Sequence, residues 1–368
     1  MEENKPVITV EAYSHKDFKN GFVVANDPYN VGEVVTNQSR RKAFLECPFV
    51  IDEDFAMLIL ARVDGVAAGR IMAFPTLFKA GEEILHSNGG SSLLVVEKYR
   101  RYDIAIELLT HTANKNRTFA GFGADFSQDG INVNKALRRT IFTMDKMMLA
   151  RNSRFVFENA GLKGGILKAA TGIANVFLRP LTYLLDYRTP KRLRQYTVKE
   201  VDVVPDWVDD VVLNDGHKYM EVHDHRWLQW CRDNMFNHKP KCANHFYTVE
   251  KDGRPMGFFM TTERYEGIES RNISPMLTGS VVEWGSKDEK VLSEFDLVRL
   301  AVPTFRKDID MIQFVTDDKD TIKKAKQHCF IQHGVHYITF RDMTKRFKEA
   351  KDQRLWRLRF GYSDSIMN

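Results

Sequence analysis

The chain has 368 residues, of which 43% are hydrophobic and 28% are charged, and its formal net charge is +5. This composition excludes a disordered or membrane-embedded chain, and the positive surplus suits an anionic cofactor but not a dedicated nucleic-acid binder. The length fits two domains better than one. The four cysteines have no paired spacing, and the first residues lack an apolar core, so we expect free thiols, no signal peptide and a cytoplasmic location.

The first half is predicted to alternate strands with helices. An Asp64-Gly65 turn between two apolar runs predicts a β-hairpin over residues 56 to 74. Further strands are predicted at Val7 to Ala12, Ser91 to Val96, Thr118 to Ala124 and Thr140 to Leu149. Helices are predicted within Lys16 to Val23 and at Arg40 to Leu45, Ile104 to Ala113 and Val133 to Arg138.

Residues 159 to 197 are predicted to form a linker, because the segment is glycine-rich, contains proline and ends in the basic run KRLR. Its apolar stretch, residues 164 to 187, is interrupted by Lys168, Arg179 and Pro180. The uninterrupted run between Lys168 and Arg179 has only ten residues, whereas a bilayer span needs about 20 apolar residues, so this stretch is not predicted to cross a membrane. We expect a linker helix packed on a domain, with contact to a membrane surface as the alternative.

The second half repeats the layout of the first, with an Asp252-Gly253 hairpin over residues 244 to 263. Helices are predicted at Trp207 to Leu213, Arg226 to Asn234, Val291 to Ala301 and Thr321 to Phe330. Strands are predicted at Gly279 to Trp284, Met311 to Thr316 and His336 to Arg341. The pattern indicates an α/β (α+β) fold used twice, each time with a mixed, mainly antiparallel sheet flanked by helices.

The basic amphipathic segment 345 to 360 is predicted to be a solvated helix that packs Trp356 and Phe360 on the second domain. The alternative for this segment is contact with an acidic partner or a membrane surface.

Residues 93 to 109, LLVVEKYRRYDIAIELL, carry the main functional signal, since a strand runs through a basic turn into a helix. Free amides at a helix start, with the helix dipole behind them, bind anions. The segment resembles the acyl-CoA-binding motif of the GNAT (GCN5-related N-acetyltransferase) superfamily, L-x-V-x-x-x-Y-R-x-x-G-I-G/A-x-x-L-L. The matching residues are Leu93, Val95, Tyr99, Arg100, Ile104, Ala105, Leu108 and Leu109, and Asp103 stands in place of glycine.

The resemblance implies a tandem-GNAT protein with a GNAT-like acyl-CoA-binding domain at 1–158, a linker at 159–197 and a second, degenerate GNAT-like domain at 198–368. In the second half, the strand at 279 to 284 runs into GSKDEKVLSEF, which has no basic-glycine turn. The implied activity is N-acyl transfer from acetyl-CoA, or another acyl-CoA, to an amine. The implied cofactor-binding residues are Leu93, Val95, Arg100, Arg101, Tyr102, Asp103, Ile104 and Ala105.

Asp103 is predicted to cap the helix that begins at Ile104, so that its carboxylate competes with a phosphate for the same amides. The general-base candidate is His86, because an unperturbed imidazole titrates near neutral pH. The tyrosine that commonly protonates the leaving thiolate in the family has no counterpart in residues 128 to 142.

Two other functions stay open. One is a non-catalytic tandem-GNAT binding module, favoured by Asp103 and by the missing tyrosine. The other is aminoacyl transfer from charged tRNA, for which the basic linker residues 188 to 194 give weak support. We expect a small-molecule or peptide amine as partner and no DNA. No metal site is predicted, because the His and Cys residues between 223 and 245 fit no zinc spacing.

Overall fold

A computed structural model describes residues 6–21, 36–124, 127–187, 189–236, 241–266, 276–363 and 365–367. These residues form one 13-stranded mixed sheet against which the helices pack. Among the strands of the described ranges, two pairs are parallel and the others are antiparallel, so the sheet is mainly antiparallel and the predicted fold class is confirmed. Within the described ranges, every helix is too short or too polar to cross a bilayer.

The first half contributes six strands, of which the first four form an antiparallel meander and the fifth runs parallel to the fourth. They are β1 (Ile8–Ser14), β2 (Ala56–Val63), β3 (Val66–Ala80), β4 (Glu83–Val95), β5 (Ala120–Ala124) and β6 (Thr140–Ala150). Its helices are α1 (His15–Lys19), α2 (Gln38–Leu45), α3 (Ile104–Asn116) and α4 (Gln128–Ala136). Helix α4 begins five residues earlier than predicted, because the Ser127 hydroxyl accepts from the Gly130 amide as an N-cap.

Helix α5 (Arg154–Asn159) ends where the predicted linker begins, and the linker itself contains the long helix α6 (Gly164–Tyr187). The α6 helix is fixed at Asn175, whose Oδ1 accepts from the Ser153 hydroxyl at 2.8 Å. Ile173 and Phe177 on α6 are 66% and 76% exposed. The helix therefore packs on the protein by one face only.

The second half supplies seven strands and four helices. The strands are β7 (Thr197–Val201), β8 (Tyr219–Glu221), β9 (Ala243–Lys251), β10 (Arg254–Glu266), β11 (Met276–Ser286), β12 (Met311–Thr316) and β13 (Ile331–Asp342). The helices are α7 (Val208–Leu213), α8 (His225–Asp233), α9 (Glu294–Ala301) and α10 (Lys319–Gln327). Strands β11 and β12 are parallel, as β4 and β5 are in the first half.

The two halves exchange their last strands. Strand β13 lies between β5 and β6, with Phe340 opposite Phe122 on one side and Thr140 on the other. Strand β6 in turn lies between β13 and β12, with Leu149 opposite Ile312. The sequence pattern indicated two sheets, and this exchange joins them into one. Separating the halves would expose unpaired strand edges. The division at residues 158 and 198 stays a prediction.

The predicted helix over residues 345 to 360 is wrong. The segment contains two short 3-10 turns, Lys348–Lys351 and Gln353–Leu355, and then continues in extended form. Trp356 and Phe360 are only 3% and 2% exposed. Trp356 lies 5.8 Å from Phe78 and 5.0 Å from Phe142 between ring centroids, so it packs on the first half as well as the second. Burial of these aromatic side chains outweighs the helical periodicity.

Replacing Gly89 by alanine is expected to lower the free energy of unfolding by about 1 to 3 kcal/mol. A Cβ built on Gly89 would lie 2.2 Å from the Phe74 ring. That ring is held by Trp227 and Trp230, at 5.4 and 5.5 Å between centroids, and cannot retreat cheaply. Urea unfolding of the variant measures the loss.

Gly172→Ala is the control for this prediction. Gly172 lies inside α6 with nothing within 4 Å of a built Cβ. Alanine there is expected to stabilise the protein by up to about 1 kcal/mol. If the two variants were equally stable, the close approach of Phe74 to Gly89 would not exclude a Cβ at position 89.

Candidate active site

A cleft opens where β4 and β5 diverge. The two strands pair only from Ser87 to Gly89, and β4 then continues to Val95 without β5. Between its pairings with β3 at Ser91 and Leu94, β4 carries a bulge, and Ser92 there has a φ of 52°. The cleft has a volume of about 810 Å³ and is closed on its far side by the start of α4. A parallel pair that splays in this way exposes backbone groups of β4 to a ligand.

Five of the eight predicted cofactor-binding residues line this cleft, and they are Leu93, Val95, Arg100, Asp103 and Ala105. The other three are directed elsewhere. Ile104 is fully buried in the core beneath α3. The Arg101 guanidinium donates to the Tyr102 hydroxyl at 2.6 Å, and the Tyr102 ring packs against the same core as Ile104.

Asp103 occupies the N-cap position of α3, but its side chain makes no capping hydrogen bond. The predicted role of its carboxylate as a cap is therefore wrong. The residue has φ 55° and ψ 21°, the left-handed conformation that glycine adopts without cost and that Asp tolerates better than most residues. The backbone turn expected of a glycine is thus preserved.

The start of α3 keeps the features of an anion site. Its first helical hydrogen bond runs from the Ile106 amide to the Asp103 carbonyl at 2.9 Å. The amides of Ile104 and Ala105 precede that bond, at the positive end of a 13-residue helix. A phosphate group is the kind of ligand that such a helix start binds.

One ion pair crosses the mouth of the cleft. Arg100 Nη1, on the 3-10 turn after β4, lies 3.2 Å from Asp129 Oδ2 in the first turn of α4. Both side chains are more than half exposed. A phosphate bound at the α3 start would compete with Asp129 for this guanidinium.

His86, the predicted general base, is not brought to the cleft. It lies exposed on β4, opposite Leu77 on β3, and seven positions before Leu93. At the rise of an extended strand, that separation is roughly 23 Å.

Solved structures share this architecture. The chain matches N-myristoyltransferase from Saccharomyces cerevisiae with bound myristoyl-CoA at a TM-score of 0.56 and 13% identity, over 92% of this chain and 85% of that one. A probable N-acyltransferase from Enterococcus faecalis matches at 0.53 and 13%, over 92% and 73%. A GCN5-related N-acetyltransferase from Anabaena variabilis matches at 0.51 and 8%, over 92% and 73%.

The chain has the GNAT fold. The matches extend across both halves, as the tandem layout of the sequence predicts. At identities this low, the likeness establishes the fold alone. No protein-family model matches the sequence, and no curated protein does.

The second half carries the same GNAT-type strand pair but a different helix start. The Ser293 hydroxyl and the Asp296 carboxylate cap α9 reciprocally, and Asp296 also binds Arg192 of the linker at 2.7 Å. Strand β11 has its own bulge at Val282, whose carbonyl accepts from the Gly361 amide at 2.8 Å. Protein groups thus occupy positions that are open in the first half. That the second half is degenerate stays a prediction.

A buried polar cluster, formed by Glu221, His223, Glu283 and Arg359, lies between the two halves and was missed by the sequence analysis. His223 Nδ1 lies 2.5 Å from Glu283 Oε2, and its Nε2 lies 3.3 Å from Glu221 Oε2. Burial by itself opposes the charged ring, but the hydrogen bonds to both carboxylates outweigh it and raise the pKa of His223 to about 9. The available signal was the spacing of Glu221 and His223, which puts both side chains on one face of an extended segment, although no strand was predicted there.

This buried cluster is connected to β4. The Ser363 amide donates to Glu221 Oε2 at 2.7 Å, and the Ser363 hydroxyl donates to the Gly90 carbonyl at 2.6 Å. Gly90 directly follows the last residue of β4 that pairs with β5. The cluster therefore fixes the segment around Ser363 at the point where the cleft begins.

The His and Cys residues between 223 and 245 do not converge. His225 Nδ1 lies 2.7 Å from Asp209, and His245 Nδ1 lies 2.7 Å from Glu200. Cys231 is buried, and His238 lies outside the described residues. In the described ranges, no three His, Cys, Asp or Glu side chains are placed to hold a metal ion.

Proposed function

We propose that the protein is an acyl-CoA-dependent N-acyltransferase whose first half binds the acyl-CoA. The observation that carries the proposal is the uncapped start of α3, behind a left-handed Asp103, at the mouth of the cleft between β4 and β5. The shared fold with a myristoyl-CoA-bound N-myristoyltransferase and with a GCN5-related N-acetyltransferase supports it. Acetyl-CoA is the donor that we propose first, and myristoyl-CoA is the longer donor to compare.

In this proposal the pyrophosphate lies against the amides of Ile104 and Ala105, and Arg100 leaves Asp129 to contact it. The pantetheine arm runs along the part of β4 that β5 leaves unpaired, from Gly90 to Val95. A β4 amide beside the bulge donates to the thioester carbonyl as negative charge develops on its oxygen.

The amine nitrogen then attacks the carbonyl carbon. A C–N bond forms, the C–S bond breaks, and the proton lost by the amine balances the departing thiolate. The acceptor in this proposal is a small-molecule or peptide amine.

Substitutions at Asp103 test the proposal. Asp103→Asn removes the carboxylate but keeps a residue that tolerates the left-handed conformation, and it is expected to bind acetyl-CoA about five- to tenfold more tightly than the wild type. Asp103→Gly is expected to behave like the asparagine variant. Asp103→Ala loses the charge too, but strains the turn by about 1 to 2 kcal/mol and gains little. Isothermal titration calorimetry measures all three, with acetyl-CoA and with myristoyl-CoA.

The series separates charge from backbone conformation, because alanine and asparagine differ mainly in their tolerance of positive φ. The proposal would be refuted if neither the wild type nor Asp103→Asn showed saturable binding of acetyl-CoA or myristoyl-CoA. Binding without transfer to any amine in a panel would favour the non-catalytic binding module.

A further inference from the structure

We propose that a second cleft, at the C-terminal ends of α3 and α4, binds a small molecule that carries two or more phosphate groups. This basic cleft has a volume of about 1140 Å³. Six of its described lining residues are cationic, and they are Arg117, Arg138, Arg341, Lys345, Lys348 and Lys351. Among the same lining residues, Asp342 is the one acid.

The basic cleft is separate from the proposed acyl-CoA site. Helix α3 has 13 residues, and its start lines the acyl-CoA cleft whereas Ala113, Asn114 and the C-cap Arg117 line the basic cleft. At the rise of an α-helix, the two ends lie about 20 Å apart. A ligand in the basic cleft is therefore a second molecule and not an extension of the first.

Two arginines lie close together at the edge of this cleft, and among the described residues neither has an ion-pair partner. Arg139 directly precedes Thr140 on β6, and Arg341 directly follows Phe340, the β13 residue that pairs with Thr140. Burial and, to a smaller extent, the charge of Arg341 together lower the pKa of Arg139 to about 10. Like charges at such close range repel each other.

Both guanidinium groups also have unused donors. Arg139 Nε and Arg341 Nη1 are buried and have no hydrogen-bond partner among the residues that the structure describes. Buried donors of this kind are normally satisfied, so an anion in the cleft that reached these guanidinium groups would supply the missing acceptor.

The acid in the cleft offsets only one of the six positive charges, and both of its oxygens accept hydrogen bonds from the turn that follows it. Asp342 Oδ1 accepts from the Thr344 amide at 2.9 Å, and Oδ2 accepts from the Phe347 amide at 2.7 Å. The carboxylate therefore shapes the turn that carries Lys345 and Lys348.

Helix dipoles explain only part of the basic lining. Arg117 and Arg138 lie just beyond the C-termini of α3 and α4, where positive charge is favourable. Lys345, Lys348 and Lys351 come from the segment after β13 and have no such role. Their convergence in one concave pocket, rather than along a stripe, favours a compact ligand over a nucleic-acid strand.

Calorimetry of the full chain with inorganic tripolyphosphate tests the proposal. The double variant Lys345→Glu with Lys348→Glu, at two exposed positions, is expected to weaken binding by about tenfold or more. The matched control, Lys319→Glu with Lys323→Glu on α10, has the same change in net charge at exposed positions. It is expected to bind tripolyphosphate like the wild type, and Arg100→Glu is expected to do so too.

Three results would overturn the proposal. One is the absence of saturable tripolyphosphate binding, and another is equal weakening in the two double variants. The third is that single-stranded poly-U RNA binds more tightly than tripolyphosphate and that the double variant at Lys345 and Lys348 loses this RNA binding. That result would assign the cleft to a nucleic acid. The acetyl-CoA affinity of the two double lysine variants is expected to stay unchanged, so failure here leaves the proposed acyl transfer untouched.

Discussion

Replacing His223 by glutamine is expected to lower the free energy of unfolding by about 3 to 5 kcal/mol, the usual cost of removing one partner from a buried ion pair. The imidazolium lies between two buried carboxylates, Glu221 and Glu283, and all three side chains are at most 3% exposed. Without it, Glu283 retains Arg359, whose Nε lies 3.5 Å away, but Glu221 loses its cation. Chemical unfolding near pH 6 measures the loss.

The contribution of His223 is also expected to depend on pH. Its pKa is about 9 in the folded protein and about 6.5 in the unfolded chain, so the folded state holds the proton more tightly. The stabilisation is therefore fully present below pH 6.5 and is lost as the pH rises through about 9. Wild-type unfolding curves at pH 6 and pH 9 measure this loss, and the glutamine variant is expected to lose less stability over the same range.

His245→Gln is the matched control for His223→Gln. His245 makes a similar contact, with its Nδ1 2.7 Å from Glu200, but both side chains are partly exposed. Solvent screens such pairs, so the variant is expected to lose no more than about 1 kcal/mol. Similar losses at the two positions would show that burial does not govern the His223 contact.

Replacing Arg100 by glutamate is expected to weaken acetyl-CoA binding by about 10- to 100-fold, the range for losing a charge-assisted hydrogen bond. The guanidinium lines the proposed acyl-CoA cleft, and Asp129 pairs with it. Glutamate there would add a third carboxylate to Asp103 and Asp129, and a pyrophosphate would be repelled by all three. Calorimetry with acetyl-CoA at low and at moderate salt measures the effect, which is expected to shrink as salt rises.

Lys98→Glu is the control for this prediction. Lys98 belongs to the same 3-10 turn as Arg100, but its ammonium lies over the Tyr99 ring, 4.6 Å from the centroid, and it does not line the cleft. The net charge changes equally in the two variants. Equal weakening would mean that only the overall charge of the protein matters, and no weakening in either would place the phosphates elsewhere.

Local patterns in the sequence predicted most of the secondary structure. The Asp-Gly turns at 64 and 252 each join two strands of a hairpin, and Asp64 and Asp252 adopt positive φ as such turns require. The candidate acyl-CoA loop was proposed because a strand, a basic turn and a helix follow one another within 17 residues, and the structure contains these three elements there. Signals of this kind are local, so one sequence is enough to detect them.

Long-range packing could not be predicted in the same way. The exchange of β6 and β13 depends on strand pairing between residues as far as 200 positions apart, such as Phe340 and Thr140. The non-helical path of the chain around Trp356 depends on the pocket that receives its side chain. The His223 cluster forms only when β8, β11 and the end of the chain meet. Contacts between segments so far apart in the chain leave no periodic pattern in the sequence.

The sequence by itself determined the GNAT-like layout and the position of the candidate acyl-CoA site, because periodicity, turn chemistry and one helix start are local properties. The tertiary structure decided how the two halves share a sheet and which backbone conformation Asp103 adopts at the start of α3. Its carboxylate was predicted to cap α3, but the turn selects a left-handed backbone and leaves the side chain without that hydrogen bond. Backbone conformation at one residue depends on the strand before it and the helix after it, and both are fixed by the core on which they pack.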